Sequence, residues 1–287
     1  MRCTEMTTRL SRVTAPPRAV CLALIVFAPL GWSAPSTIIR AETADPGVLR
    51  VCADPNNLPF SNRARQGFED AIARLLADYR GERLEYTWWP QRRGFLRTTL
   101  NAGVCDVVMG VPSTLHTVLV TAPYYTSSYA FVSRRDAQLA IDSIDDERLR
   151  SLTIGVHVMG NDYALAPPGE ALIARGLAGR IKGYSILGNY QQPNPPADLI
   201  DAVANKQVDV ALAWGPLAGY FAARSKVPLD VRVARPVPAV PLQFSMSMGV
   251  RSGDVALQRE LNAFLVARKT AVKKILDSFH VPTVAAP

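Results

Sequence analysis

Short apolar runs alternate with amphipathic stretches of helical period along this chain, and the alternation starts over partway through. Leu49–Ala53 (LRVCA) reads as a buried strand that ends in the turn-rich Asp54, Pro55, Asn56 and Asn57. Phe68, Ile72, Leu75, Leu76 and Tyr79 then recur at helical spacing through GFEDAIARLLADY, which stops near Gly81. Leu84–Trp88 gives a second strand, Arg92–Ala102 a second helix closed by Gly103, and Val107–Gly110 a third strand. Such alternation builds βαβ units on a parallel sheet. The pattern restarts at Leu152 with the strand LTIGV and a helix from about Asp162 to Arg175. A strand near Ile181, a helix through Leu199–Asn205, a strand Val208–Trp214 and a helix Pro216–Arg224 follow.

Two extended segments lie outside these sets, Tyr124–Ser133 and Gln243–Val250 (QFSMSMGV). A final helix opens with Asp254 at its N-cap and carries Leu257, Leu261, Phe264, Leu265 and Val272 on one side. If that helix packs on the first set, two strands connect two lobes and act as a hinge. The expected architecture is two α/β lobes, each with a mixed sheet. Residues 45–133 with 242–287 form lobe 1, and residues 134–241 form lobe 2. The length of 287 residues agrees, since single cores stop growing near ~250. Pro193, Pro195, Pro196, Pro236, Pro238 and Pro241 mark loops.

The first thirty residues have the pattern of a secretory signal. Arg2, Arg9, Arg12 and Arg18 precede the apolar run Ala19–Leu30, which is short of the ~20 residues a spanning helix needs. Gly31, Ser33 and Ala34 supply small residues for cleavage, placed between residues 33 and 41, and no lipobox precedes Cys21. Removing residues 1–33 takes four of 32 basic and one of 24 acidic residues, leaving 28 − 23 = +5. The remaining charge forms no stripe that could follow a phosphate backbone, so nucleic-acid binding is not expected. No transmembrane segment is expected after signal removal. Hydrophobic residues at 48% and charged residues at 20% fit an ordinary folded chain. The mature chain keeps Cys52 and Cys105, an even pair that an oxidising compartment favours as a disulfide, with two buried thiols as the alternative.

In open α/β sheets, ligands bind beyond the carboxyl ends of the strands. That rule nominates Asp54, Asn57, Phe60, Pro112, Ser113, His157, Met159, Asp162 and Trp214, together with the aromatic and basic group Trp88, Trp89, Arg92, Arg93 and Phe95, and with Tyr124 and Tyr125 further out. Strand alternation lets only one of Trp88 and Trp89 face inward. Two arginines in a helix's first turn oppose the positive end of its dipole by ~0.3–1 kcal/mol, so Arg92 and Arg93 are expected to meet an acidic ligand group or an acidic patch on a partner. A helix N-terminus after His157 and Met159 could hold an anion, although an ordinary N-cap at Asn161 or Asp162 explains the same residues. His116, His157 and His280 lack metal-ligand spacing, and CxxC, GxSxG, GxxxxGK[ST] and GxGxxG are absent from the sequence. No catalytic residue, bound metal or cofactor is therefore expected, and the chain is read as a non-enzyme.

LRVCAD, PNNLPF, GFEDAIARLLADY and CDVVMGVPS, then LTIGVHVMGND and DAVANKQVDVALAW, resemble in order and spacing the type II periplasmic binding proteins, the solute-binding proteins of ABC importers. EYTWWPQRRGFLRTTLNAG, WGPLAGYFA and the terminal FHVP further resemble the quinoprotein-dehydrogenase-associated subgroup, the methanol-oxidation J proteins of XoxJ and MxaJ type. The resemblance implies a periplasmic accessory that assists a pyrroloquinoline-quinone (PQQ)-dependent methanol or alcohol dehydrogenase, with a cytochrome c as a further partner. PQQ and a metal ion would then belong to the dehydrogenase. Amino-acid-binding members of the wider family pair an arginine with the ligand carboxylate and an aspartate with its ammonium. Here Thr117 stands near the first position and Trp214, Gly215 and Pro216 near the second, so a free amino acid fits poorly. The competing expectation is a receptor feeding an ABC importer with a small non-amino-acid solute.

Overall fold

The computed structural model describes residues 47–159, 164–186, 190 and 192–286. Readings that fall on residues 1–46, including the signal and its cleavage site, and on Asp162 lie outside the described residues. The nine longer strands are β1 Val48–Ala53, β2 Arg83–Trp88, β3 Val107–Pro112, β4 Tyr125–Arg134, β5 Ile154–Met159, β6 Ile181–Ser185, β7 Val210–Trp214, β8 Leu229–Val233 and β9 Gln243–Val250. The helices are α1 Phe68–Arg80, α2 Phe95–Thr98, α3 Pro167–Ala174, α4 Asp198–Ala204, α5 Gly215–Arg224, α6 Val255–Ala267 and α7 Lys269–Ser278.

The strands follow the order β6-β5-β7-β4-β9-β3-β1-β2. Pairs β1–β2, β1–β3, β5–β6 and β5–β7 are parallel, as the alternation of strands and helices requires. The two long strands that cross between lobes are antiparallel. Tyr125–Ser128 of β4 pairs with Met246–Gln243 of β9, and the rest of β4 lies between β7 and β8. The two-lobed mixed α/β architecture with a two-strand hinge is thus present.

Helix α1 illustrates how the sequence builds a lobe. Glu69 and Asp70 stand in its first turn and Arg80 in its last, each matched to the dipole, and Gly81 ends it at φ 68°. Phe68, Ile72 and Leu76 recur on one face and are fully buried against β1, β3 and α7 residues such as Val51, Val107 and Val272. Each contributes ~1.5–3 kcal/mol of burial. The second lobe holds two further clusters on opposite faces of its sheet. One includes Ala130, Val132, Leu199 and Leu217, and the other Phe131, Ile154, Val156 and Leu212.

Two expectations fail locally. The helix expected over Arg92–Ala102 is a single turn, Phe95–Thr98. Gly94 precedes it at φ 90°, and the backbone leaves the helical region at Thr99, at φ −118° and ψ −84°; the hydroxyls of Thr98 and Thr99 share the Gly94 and Phe95 carbonyls with the backbone N–H groups at 3.1 and 2.7 Å. The C-terminal helix is two helices divided at Arg268. Asp254 does precede α6, but its carboxylate pairs with Arg251 at 2.8 Å and makes no side-chain cap bond.

Cys52 on β1 and Cys105 just before β3 form a disulfide, with Cα atoms 5.6 Å apart. Asp106, next in the chain, accepts a bidentate pair from Arg50 at 2.9 and 2.7 Å and a bond from Arg251 at 3.1 Å. The carboxyl end of β1 is therefore pinned covalently and ionically on one face of the sheet.

Candidate functional site

The end of β1 delivers Asp54 into the junction between lobes, where its side chain is 3% exposed. Its Oδ1 accepts the Asn56 N–H at 2.8 Å, and its Oδ2 accepts the Gln91 N–H at 2.6 Å and the Tyr190 hydroxyl at 2.8 Å. Tyr190 belongs to the second lobe, so this bond crosses the cleft. Beside it, Asn56 Nδ2 donates to the Gln192 carbonyl at 2.8 Å, and the Asn194 N–H donates to Asn56 Oδ1 at 3.3 Å. Burial and the Asp54 carboxylate push the Tyr190 hydroxyl well above its ordinary range, which keeps it a donor at neutral pH.

A cavity of about 700 Å³ opens next to these bonds, lined by Pro55, Asn56, Arg63, Trp88 and Pro90 from the first lobe and by Tyr190, Gln192 and Pro193 from the second. Trp88 is half-buried and stacks on Tyr86 with ring centroids 4.5 Å apart, while Trp89 is 49% exposed. One tryptophan faces inward and one outward, as alternation demands. The Arg92 guanidinium lies over the Tyr190 ring at 5.2 Å. Arg93 is exposed.

The helix-dipole argument for Arg92 and Arg93 is corrected by the shortness of α2. Both arginines precede its Gly94 cap in a loop, where no first-turn dipole opposes them. Phe95 is not in the cleft either. It is 6% exposed and packs with Cys52, Leu100, Cys105 and Val108 in the core behind the disulfide. Phe60 sits edge-to-face on Phe68 at 5.3 Å and touches the cores of both lobes, so it joins them instead of lining the cavity.

The other sequence candidates scatter around the junction. Asn57 Nδ2 donates to Gln91 Oε1 at 3.1 Å. Pro112 ends β3 exposed, and Ser113 turns back to the sheet, its Oγ bonding the Ser245 carbonyl at 2.9 Å and Ser247 Oγ at 2.7 Å. Trp214 closes an aromatic triad with Tyr129 at 5.4 Å and Phe244 at 5.8 Å. Thr117 is exposed. Met159 ends β5. His157 is 2% exposed inside the second lobe, and neither ring nitrogen has a hydrogen-bond partner. Burial pushes its imidazole down to about 4, outweighing the opposite pull of the Pro196 carbonyl.

Several contributors escaped the sequence reading. Tyr190 and Gln192 sit in NYQQPNPP, where the prolines announce only a loop. Glu69 stands in the first turn of α1, where an acid ordinarily faces the dipole and solvent. Its carboxylate instead packs against Gly110 of β3, where any Cβ would overlap it, and beside Tyr124 and Tyr125. Burial, and secondarily Asp70, pushes Glu69 up to about 8. Tyr124 donates to the Met109 carbonyl at 2.8 Å, while the buried Tyr125 hydroxyl has no partner. Among the described residues no group of three or more His, Cys, Asp or Glu could hold a metal ion, and no helix is long and apolar enough to cross a membrane.

Two sheet halves joined by a pair of strands, with loops from the ends of β1 and β2 facing the second half across a cleft, define a type II periplasmic binding protein scaffold. No protein-family model matches the chain. It is 32% identical over 272 residues to Protein MoxJ of Methylorubrum extorquens, covering 88% of this chain and 86% of MoxJ. The crystal structure of the periplasmic binding protein XoxJ from Methylobacterium extorquens AM1 is 37% identical with a TM-score of 0.69, covering 83% of this chain and 100% of XoxJ. That of MxaJ from Methlophaga aminisulfidivorans MPT is 28% identical with the same TM-score of 0.69, covering 82% and 100%. The chain belongs to the MoxJ family, whose solved members XoxJ and MxaJ share this fold.

Proposed function

We propose that the chain is an exported accessory protein of a PQQ-dependent methanol or alcohol dehydrogenase system, which it assists by protein contact and without catalysis of its own. The observation that carries this reading is Asp54. Its carboxylate, at the carboxyl end of β1 where a binding protein would engage solute, is already occupied by the chain's own Asn56, Gln91 and Tyr190. Membership of the MoxJ family supports the methanol-oxidation context. On this reading lobe 1 is residues 45–133 with 242–287 and lobe 2 residues 134–241. PQQ and its metal stay with the dehydrogenase, and a cytochrome c is a further candidate partner. The purified mature chain should form a complex with the purified dehydrogenase, measured by biolayer interferometry. Absence of binding at both low and moderate salt would overturn the reading.

A second reading, a receptor supplying an ABC importer with a small non-amino-acid solute, is favoured by the 700 Å³ cavity between the lobes. Such a ligand raises Tm by mass action. A thermal-shift screen over small acids, alcohols, PQQ and metal complexes decides it, and a flat response excludes it for those classes.

A further inference from the structure

The cleft rim has an unbalanced charge. Elsewhere the chain supplies many arginines with its own carboxylates, as in Arg50–Asp106, Arg134–Asp136 and Arg148–Asp146. Arg63, Arg92 and Arg93 take part in none of the ion pairs found among the described residues. Asp54 is buried with its oxygens already engaged by three donors, and the exposed Asp198 on the opposite wall is engaged by Gln192 Nε2 at 3.0 Å and pairs with none of the three arginines.

The same rim carries aromatic surface. Trp88 lines the cavity, Trp89 stands half-exposed beside it, and Tyr190 faces them from the second lobe under the Arg92 guanidinium. Tryptophan, tyrosine and arginine together are the residues that dominate protein-interface energetics. A small solute would be expected to sit enclosed, with ~70–90% of its surface buried. Arg63 lines the cavity, while Arg92, Arg93 and Trp89 are exposed beyond its lining, where a longer segment could run past them.

We propose that this groove is the docking site for an acidic, extended segment of the partner protein. Its carboxylates would pair with Arg63, Arg92 and Arg93, and an apolar side chain would lie against Trp88 and Trp89. This rests on the accessory-protein reading and adds the face and the chemistry of contact. Because one wall is Tyr190, whose hydroxyl Asp54 holds across the cleft, the groove is complete only with both lobes in this arrangement. Docking is therefore coupled to the closed arrangement of the lobes.

The test uses the purified PQQ-dependent dehydrogenase and three forms of the mature chain: unaltered, Arg92→Glu/Arg93→Glu, and the charge-matched control Lys269→Glu/Lys274→Glu on α7. Far-UV circular dichroism and Tm establish that each is folded. The groove variant should weaken Kd by ~10-fold or more, the control should stay near the unaltered value, and affinity should fall as salt rises. If the groove variant binds as well as the control, the groove assignment is overturned while the accessory reading stands. If the unaltered chain does not bind, the accessory reading fails, and a second probe decides the groove. That probe is a tryptophan-free peptide of alternating Glu, Leu and Pro, titrated by protein tryptophan fluorescence against a copy with Gln for Glu. A response confined to the Glu peptide and lost in the groove variant upholds the groove. No response, or one indifferent to the peptide's charge or to the variant, overturns it.

Discussion

The two lobes meet on two sides, and the sides are built differently. On the hinge side the chain's end wraps the junction. Ser127 Oγ donates to the Pro282 carbonyl at 2.6 Å, and the Val284 N–H donates to the Thr126 carbonyl at 3.0 Å. Phe279 stacks on Tyr220 with centroids 5.7 Å apart, and the His280 carbonyl lies so close to Gly219 of α5 that a Cβ there would overlap it. On the cleft side the contacts among the described residues include the Asp54–Tyr190 bond, the pair made by Asn56, partly open to water, and the Arg92 guanidinium over the Tyr190 ring. Close-packed backbone and ring surface resists relaxation, whereas a hydrogen bond in reach of water contributes a net ~0.5–1.5 kcal/mol. The hinge side therefore fixes how the lobes sit, and the cleft side tunes it.

The largest expected effect lies at the base of the cleft side. Cys52 is two residues before Asp54, and its bridge to Cys105 closes a sequence separation of 53. Loop-closure entropy for that length gives about 4 kcal/mol. Cys52→Ser/Cys105→Ser should lower the unfolding free energy by roughly that amount in urea titrations. A change below ~1 kcal/mol would show that the Arg50–Asp106–Arg251 cluster holds β1 without the bridge.

Next is the hinge side. A glycine inside a helix ordinarily costs ~0.5–1 kcal/mol relative to alanine, so Gly219→Ala should stabilise α5 if nothing else intervened. The His280 carbonyl reverses the sign, because a backbone group on a packed tail cannot step aside cheaply. A net loss of ~1–3 kcal/mol, or ~5 °C in Tm, is expected by calorimetry. A rise in Tm would mean that the tail does not hold the junction.

The cleft side should yield less. Tyr190→Phe removes one hydroxyl and keeps the ring under Arg92, and its expected cost is ~1 kcal/mol. Small-angle scattering should show a larger radius of gyration for this variant, because the lobes lose a tie. Gly219→Ala, measured alongside, is the hinge-side counterpart of this comparison. If Tyr190→Phe leaves the lobe arrangement unchanged, the Asp54 contact follows closure instead of helping to set it.

How much of this was legible depended on what each residue repeats. The alternation of β1, α1, β2 and β3 and its restart at β5 was readable because burial imposes a period, and periods survive in sequence. The disulfide pair was readable as one of two alternatives. Helix α2 was not, since its apolar spacing is sound and the backbone leaves the helical region at Thr99, a departure with no mark in the pattern. Asp54 was readable as a strand-end residue, but Tyr190, its partner 136 positions away, sits in a loop with no period to betray it. Phe95 misled for the opposite reason. Its place in the TWWPQRRGF loop suggested the cleft, while the turn at Gly94 directs it into the core.

The last comparison separates the lobes by pH. Burial holds the Glu69 carboxyl at about 8 against an ordinary 4.5, so the folded first lobe prefers it protonated. That preference supports the fold fully below about pH 4.5 and is lost as pH rises toward 8, at no more than about 1.4 kcal/mol per pH unit. His157 acts in reverse. Its imidazole is held at about 4 against 6.5, so the second lobe's contribution is present above pH 6.5 and lost as pH falls toward 4. Glu69→Gln cannot ionise, and its stability between pH 5 and 8 should fall less steeply than that of the unaltered chain, with the loss below pH 6 unchanged. Hydrogen exchange at pH 5 and pH 8 reads the two lobes separately. In the unaltered chain, α1 amides should lose protection at the higher pH and β5 amides at the lower. If both lobes respond together at each pH, the hinge-side packing couples them more tightly than their two cores alone would, and the cleft-side bonds contribute little to that coupling.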